Sequence, residues 1–192
     1  MSLILASGSQ IRHAMLAAAG VGHRVERPDV DEAEAKRRLN CAKDIAAELA
    51  AAKALAVAAA RDDWVIGSDS VVSVDSCLFD KPADRDQAAE HLRFFSGKLM
   101  RLTSAVALAR DGSVHWHHVE SADLHVRTLS EAFIADYLGA EWPEVGYCVG
   151  VFRMEGRGVQ LFSKVVGDHF TILGMPLLPL LGALRERGLL AS

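Results

Sequence analysis

The hydrophobic pattern switches repeatedly between short apolar runs and longer stretches with helical spacing. Ser2 to Ala6 is a short apolar run and predicts the first strand. Ser9 stands in a capping position and predicts a helix that stops at Gly20. His23 to Pro28 predicts a second strand, and the alanine-rich stretch Asp44 to Ala60 predicts a long helix. Trp64 to Val74, WVIGSDSVVSV, is β-branched and apolar, a buried strand interrupted by a polar knot. Asp84 predicts a capped helix through Phe95 that ends at Ser96-Gly97, with Leu92, Phe94 and Phe95 on its core face. Leu99 to Ala109 and Ser113 to Arg127 predict a hairpin around Asp111-Gly112. Ser130 caps a helix to Leu138, Gly158 to Val166 predicts another strand, and Pro176 to Arg187 a closing helix with Gly188 after it. Strands and helices mix throughout, with no repeat, low-complexity tract or linker. The pattern therefore predicts one α/β domain over residues 1–192, with a mixed sheet flanked by helices.

Composition narrows the class. A chain of 192 residues with 51% apolar content can bury one good core, with room for two lobes but not for two large domains. A net charge of -4 with 24% charged residues is an ordinary surface, which argues against a nucleic-acid polymer or a membrane as partner. The longest apolar stretch, DIAAELAAAKALAVAAA, is interrupted by Glu48 and Lys53 and does not read as a membrane span. The first residues lack the basic start and cleavage site of a signal peptide. Cys41, Cys77 and Cys148 are odd in number and far apart, which predicts buried or idle thiols in a reduced, cytoplasmic setting.

Four polar clusters stand out against this background. Ser7-Gly8-Ser9, with Arg12 one turn on, lies at the first strand-to-helix turn. It reads either as a phosphate cradle, with backbone N–H groups, hydroxyls and a cation converging on an anion, or as a simple N-cap with a surface arginine. Asp29-Val30-Asp31-Glu32 puts three carboxylates in four residues, suited to a cation, to open water or to the first turn of a helix. Asp69, inside Gly67-Ser68-Asp69-Ser70, is a carboxylate in an apolar strand, where desolvation is costly unless the group is paired. Lys81-Pro82 keeps a cation outside any helix, free to pair with Asp69 or a phosphate. A glycine-rich run, Gly156-Arg157-Gly158, Gly167-Asp168 and Gly174-Met175-Pro176, suits turns beside a ligand or between strands. His115-Trp116-His117-His118 reads as an exposed hairpin strand rather than a zinc site. Taken together, Glu32 and Asp69 with Arg12, Lys53 and Lys81 form the inventory for a divalent cation on a polyphosphate.

The order and spacing of these pieces resemble the Maf family of nucleotide pyrophosphatases over nearly the whole chain. The resemblance rests on Ser7-Gly-Ser9-Gln-Ile-Arg12, Val30-Asp31-Glu32, Lys53, Gly67-Ser68-Asp69, Lys81-Pro82, Ser96-Gly97, Gly167-Asp168 and Gly174-Met175-Pro176. It implies a mixed twisted sheet with flanking helices, in two lobes around a deep cleft. It further implies hydrolysis of a nucleoside triphosphate between the α and β phosphates, giving monophosphate and pyrophosphate. Under that resemblance, Asp69 is the catalytic base, and Glu32 with Asp69 holds Mg²⁺ or Mn²⁺. Ser7, Ser9, Arg12, Lys53 and Lys81 bind the triphosphate. A homodimer is also expected.

The resemblance places base choice at three further positions. The members acting on dTTP and UTP carry an Arg, a Thr and a Gln where Ile11, Ser70 and Glu155 stand here. Glu155-Gly156-Arg157-Gly158 is closer to the members acting on 7-methyl-GTP, and a carboxylate is a sensible acceptor for a guanine N–H edge. Met175 replaces a usual Leu, a neutral packing exchange. The competing readings are a nucleotide-binding regulatory module of septum formation, which needs the cleft but not Asp69, a dTTP/UTP pyrophosphatase, and a metal-dependent phosphatase that releases inorganic phosphate.

Overall fold

The computed structural model describes residues 2–60 and 62–191. Its strands form one seven-stranded mixed sheet. The elements in chain order are β1 (Leu3–Ala6), α1 (Gln10–Ala18), β2 (Arg24–Glu26), α2 (Glu32–Arg38), α3 (Ala42–Ala56), β3 (Trp64–Val74), β4 (Cys77–Phe79), α4 (Arg85–Phe95), β5 (Leu99–Arg110), β6 (Ser113–Val126), α5 (Glu131–Glu141), β7 (Phe162–Val166), α6 (His169–Ile172) and α7 (Leu177–Glu186). The strand order is β2-β1-β3-β5-β6-β7, with β4 pairing β3 from outside that path. By contacts the chain divides into two compact units: Met1–Ser70, Thr103–Glu120 and Asp168–Ser192 form the first, Val71–Leu102 and Ser121–Gly167 the second.

In the first unit β1 runs parallel to both β2 and β3, with Leu3 opposite Trp64 and Leu5 opposite Ile66. Side chains alternate along a strand, so Leu3, Leu5, Trp64 and Ile66 share one face. They pack with Met15 and Leu16 of α1 and with Leu177, Leu180 and Leu184 of α7 in a single apolar core. Met175 is fully buried in the same core.

The opposite face of β3 meets α3. That helix buries Ala46, Ala50 and Ala54, spaced four apart on one side, together with Ile45 and Leu49. Gly67 faces this alanine side. A Cβ built on it would stand 2.0 Å from the Ala50 carbonyl oxygen, 2.5 Å from the Ala54 nitrogen and 2.9 Å from the Ala54 Cβ. The helix backbone thus lies directly against the strand at this point.

In the second unit β4 pairs antiparallel with the far end of β3, and β7 pairs antiparallel with β6 through Asp123 opposite Val166. Helices α4 and α5 pack on each other. The Tyr137 hydroxyl donates to the Val151 carbonyl at 3.0 Å, inside this unit. Among the described residues no helix is long and apolar enough to cross a membrane.

Several expectations shift by a few residues, and some elements were not foreseen. The first helix has Ser9 in the N-cap position, but the Ser9 side chain makes no capping bond. Gly158 to Val166 is a 3-10 turn, Arg157–Leu161, followed by the shorter strand β7. Helix α2 is a polar sequence, EAEAKRR, that buries only Ala35 and so carries no apolar period. Strand β4 follows a turn through Asp75 and Ser76, both at positive φ without glycine, which hides the usual hairpin signature. Phe94 is exposed rather than in the core face with Leu92 and Phe95, and the Lys98 ammonium lies 3.5 Å above its ring. None of the three cysteines is buried: Cys41 and Cys77 are exposed and Cys148 is half-buried, all as free thiols.

Gly67→Ala should destabilise the protein by about 3 kcal/mol, because the new methyl meets helix backbone that cannot rotate away. Urea unfolding measures the loss; a change below about 1 kcal/mol would show that α3 can retreat from the strand.

Candidate active site

The polar knot Gly67-Ser68-Asp69-Ser70 lies within β3, and strand alternation sorts its side chains. Gly67 and Asp69 point to the α3 side, Ser68 and Ser70 to the side of α1. Each side builds its own cluster.

On the α3 side, Lys53 lies one turn beyond Ala50, near the point where helix and strand touch. Its Nζ donates to Asp69 Oδ1 at 2.6 Å and lies 2.7 Å from Glu32 Oε1. Asp69 is only 7% exposed, and the lysine is the charge that makes its burial tolerable. Glu32 is the first residue of α2. The preceding Asp31 is the cap, accepting from the Ala33 nitrogen at 3.0 Å and the Glu34 nitrogen at 3.3 Å. The acidic stretch therefore divides its labour: Asp31 starts the helix and Glu32 enters the cluster. Lys36, one turn on, lies 3.7 Å from Glu32 Oε2.

On the other side, the Arg12 guanidinium is a clamp. Its Nε donates to the Gly174 carbonyl at 2.9 Å and one terminal nitrogen to the Ser68 carbonyl at 2.9 Å. The same nitrogen reaches Ser7 Oγ at 3.4 Å, and the other terminal nitrogen donates to Ser70 Oγ at 3.1 Å. Four of the five N–H groups of an arginine are thus directed at protein oxygens. The same Gly174 carbonyl accepts from Ser68 Oγ and Ser70 Oγ, each at 3.1 Å. Gly174 has φ +103, a conformation that glycine alone adopts easily, and a Cβ there would come 3.3 Å from Ser70 Oγ. Burial pulls the guanidinium below its ordinary value, while Asp69 and then Glu32 oppose that shift; it remains a cation. Arginine and the two acids of the opposite side are therefore electrostatic neighbours.

The opening turn sits at the carboxyl ends of β1 and β2, the usual place for a ligand on parallel strands. Ser7 Oγ accepts from the Ser9 nitrogen at 3.1 Å and from Arg12, which leaves its own hydrogen to donate. With no side chain capping α1, the first-turn N–H groups of that helix have no intrahelical acceptor. Ile11 is half-buried in this first turn.

Sequence reasoning missed several members. Arg27 follows β2 just as Ser7 follows β1, and its side chain lies against Gly8, 3.4 Å from where a Cβ would be. Only the parallel pairing of the two short strands could have placed it there. Ser68 and Ser104 are fully buried hydroxyls inside apolar strands, which is the signal that could have found them. Ser104 Oγ bonds Ser70 Oγ at 2.9 Å and donates to the Thr171 carbonyl at 2.9 Å, so it ties β5 to the Gly174 turn.

Lys81 and Glu155 belong to the second unit. Lys81 is exposed, and Glu155 is paired with Arg153 at 3.2 Å. Both act on one thiol: Cys148 is pushed up by its burial and by Glu155, while Arg153 and Lys81 pull the other way. The exposed His115 contacts the Trp64 ring and the Arg110 carbonyl, as a surface strand residue does.

Among the described residues no group of three or more His, Cys, Asp or Glu is arranged to hold a metal ion. Glu32 and Asp69 do converge, through Lys53, on one point. Two carboxylates are a poor closed site but fit Mg²⁺ or Mn²⁺ that takes its remaining ligands from water and phosphate oxygens.

Residues 2–187 match the protein family described as Maf-like protein. A protein of Rhizobium meliloti (strain 1021) named 7-methyl-GTP pyrophosphatase is 43% identical over 97% of this chain and 96% of its own length. One of Sphingopyxis alaskensis named nucleoside triphosphate pyrophosphatase is 45% identical over 98% of each chain. Another of that name, from Nitrobacter hamburgensis, is 45% identical over 98% of this chain and 95% of its own.

Arg12→Lys should cost about 2–3 kcal/mol of stability in urea unfolding, because an ammonium cannot hold the Ser68 and Gly174 carbonyls at once. A change below about 0.5 kcal/mol would mean that the Gly174 turn stands without the clamp.

Proposed function

The chain belongs to the Maf family, and on that footing we propose that it is a nucleoside triphosphate pyrophosphatase. Water attacks the α phosphorus, the bond to the α–β bridging oxygen breaks, and pyrophosphate leaves with the electron pair. The observation that carries this reading is the buried Asp69 carboxylate, held at Oδ1 by Lys53 and set beside Glu32. Among the described residues no protein group bonds Asp69 Oδ2, which leaves that oxygen to take the proton of the attacking water.

The remaining roles follow from chemistry already described. The Ser7 hydrogen, the Ser9 hydroxyl, the uncapped N–H groups of α1 and the last N–H of Arg12 suit phosphate oxygens. Lys53 and Lys81 supply positive charge for the triphosphate as charge builds on the leaving group. Mg²⁺ or Mn²⁺, held by Glu32 and Asp69, would neutralise phosphate charge there.

For the base we favour 7-methyl-GTP or a related purine. The support is Glu155, an exposed carboxylate able to accept from a guanine N–H edge, together with the name of the R. meliloti relative. Ser70, bonded to Arg12, Ser104 and Gly174, would act on specificity through the Gly174 turn rather than by touching a base. Ile11 would act by its bulk in the first turn of α1.

A panel of methylated, pyrimidine and deaminated triphosphates with Mg²⁺, read for pyrophosphate, tests this. Pyrophosphate with monophosphate is expected, and Asp69→Asn should slow its release by about 10²–10⁴-fold. Release of inorganic phosphate would make the protein a phosphatase. Tight binding without turnover would make it a regulatory nucleotide binder.

A further inference from the structure

We propose that the Lys53 ammonium holds the divalent cation's place in the nucleotide-free enzyme, so that metal enters only as a complex with the triphosphate. This rests on the pyrophosphatase reading above and adds an order of binding to it.

Lys53 Nζ lies 2.7 Å from Glu32 Oε1 and 2.6 Å from Asp69 Oδ1. A Mg²⁺ ion shared by those same two oxygens would lie about 2.1 Å from each. The ammonium and the ion would draw on the same two carboxylates, and they exclude each other. Retreat of the lysine backbone is blocked, because α3 is pressed onto β3 at Gly67 through Ala50 and Ala54. Only the flexible side chain can move, and it needs an acceptor to move to.

Charge sets the order. Lys53, the Arg12 cation beyond the strand and Lys36 at 3.7 Å from Glu32 oppose the carboxylates of Glu32 and Asp69. The two carboxylates are thus already matched by cations. A bare divalent ion would approach acids already matched by cations and would have to displace an ammonium that has no other partner among the described residues. A metal–triphosphate complex reverses both conditions. It arrives with net negative charge, and its phosphate oxygens receive the displaced Lys53. The lysine then serves twice, as counter-ion to the acids before binding and as phosphate ligand afterwards.

Mn²⁺ titration of the full-length protein, followed by electron paramagnetic resonance, tests this without turnover. Wild type alone is expected to bind Mn²⁺ at least about tenfold more weakly than Lys53→Met alone. The Lys53→Met binding should disappear when Glu32→Gln is added. A second measurement uses wild type only, in case the variant fails to fold. In calorimetry, Mn²⁺ premixed with a non-hydrolysable α,β-methylene triphosphate should bind, whereas Mn²⁺ alone at the same concentration should give no binding heat. Wild type binding Mn²⁺ alone as tightly as Lys53→Met does, or as tightly as it binds the premixed complex, overturns the proposal and leaves the pyrophosphatase reading intact. Pyrophosphate release undiminished in EDTA would instead overturn the metal role in that reading, and this inference with it.

Discussion

A missing side chain at Gly67 lets the backbone of α3 rest on β3, and the site is organised by that contact. The alanines at 46, 50 and 54 make the helix face flat enough to approach. Lys53, on the next turn, is thereby carried to within hydrogen-bond distance of Asp69. Each of the two residues would be costly alone: the buried acid would be an unpaired charge, and the lysine a long side chain without an acceptor. Joined, they can stay charged in a mostly covered place. The sequence spacing of 16 residues between them says nothing of this; the backbone contact does.

The second organising feature is alternation along β3. Three consecutive polar residues face in opposite directions, and they do different work. Asp69 faces Lys53 on the α3 side. Ser68 and Ser70 face the guanidinium of Arg12 and fix the Gly174 carbonyl. Arg12 thus connects three separate parts of the chain: the opening turn through Ser7, the middle of β3 through Ser68 and Ser70, and the C-terminal turn through Gly174. An arginine one turn into a helix that follows a hydroxyl-rich turn is readily taken for a phosphate ligand. Here most of its donors hold the protein together, and its charge still acts on Asp69 and Glu32.

Much of this was legible in the sequence, for reasons that differ by residue. Strand β3 was found with its observed limits because four valines, an isoleucine and a tryptophan around a short polar knot permit little else. Asp69 stood out because a carboxylate in such a run demands a partner. Lys53 was counted among the cations suited to a polyphosphate, but its pairing with Asp69 was not legible, since nothing in an alanine-rich helix marks which acid its lysine meets. Of helix α2 only the first turn was legible, as one reading of the acidic stretch, because its stability comes from the Asp31 cap and charge pairs rather than from an apolar stripe. Arg27 was hidden because its position follows from the pairing of two strands of four and three residues. The arginine clamp was invisible for a deeper reason: backbone carbonyls, which accept two of its four bonds, leave no trace in a side-chain pattern.

The acid and the lysine are held to act as one unit, made so by the helix–strand contact. A double-mutant cycle on kcat/KM for pyrophosphate release, combining Lys53→Met with Asp69→Asn, measures that most directly. If the two work as a unit, the double variant will be within about threefold of the slower single variant. Losses that multiply, each substitution costing its full factor in the presence of the other, would show two independent residues that merely stand close together.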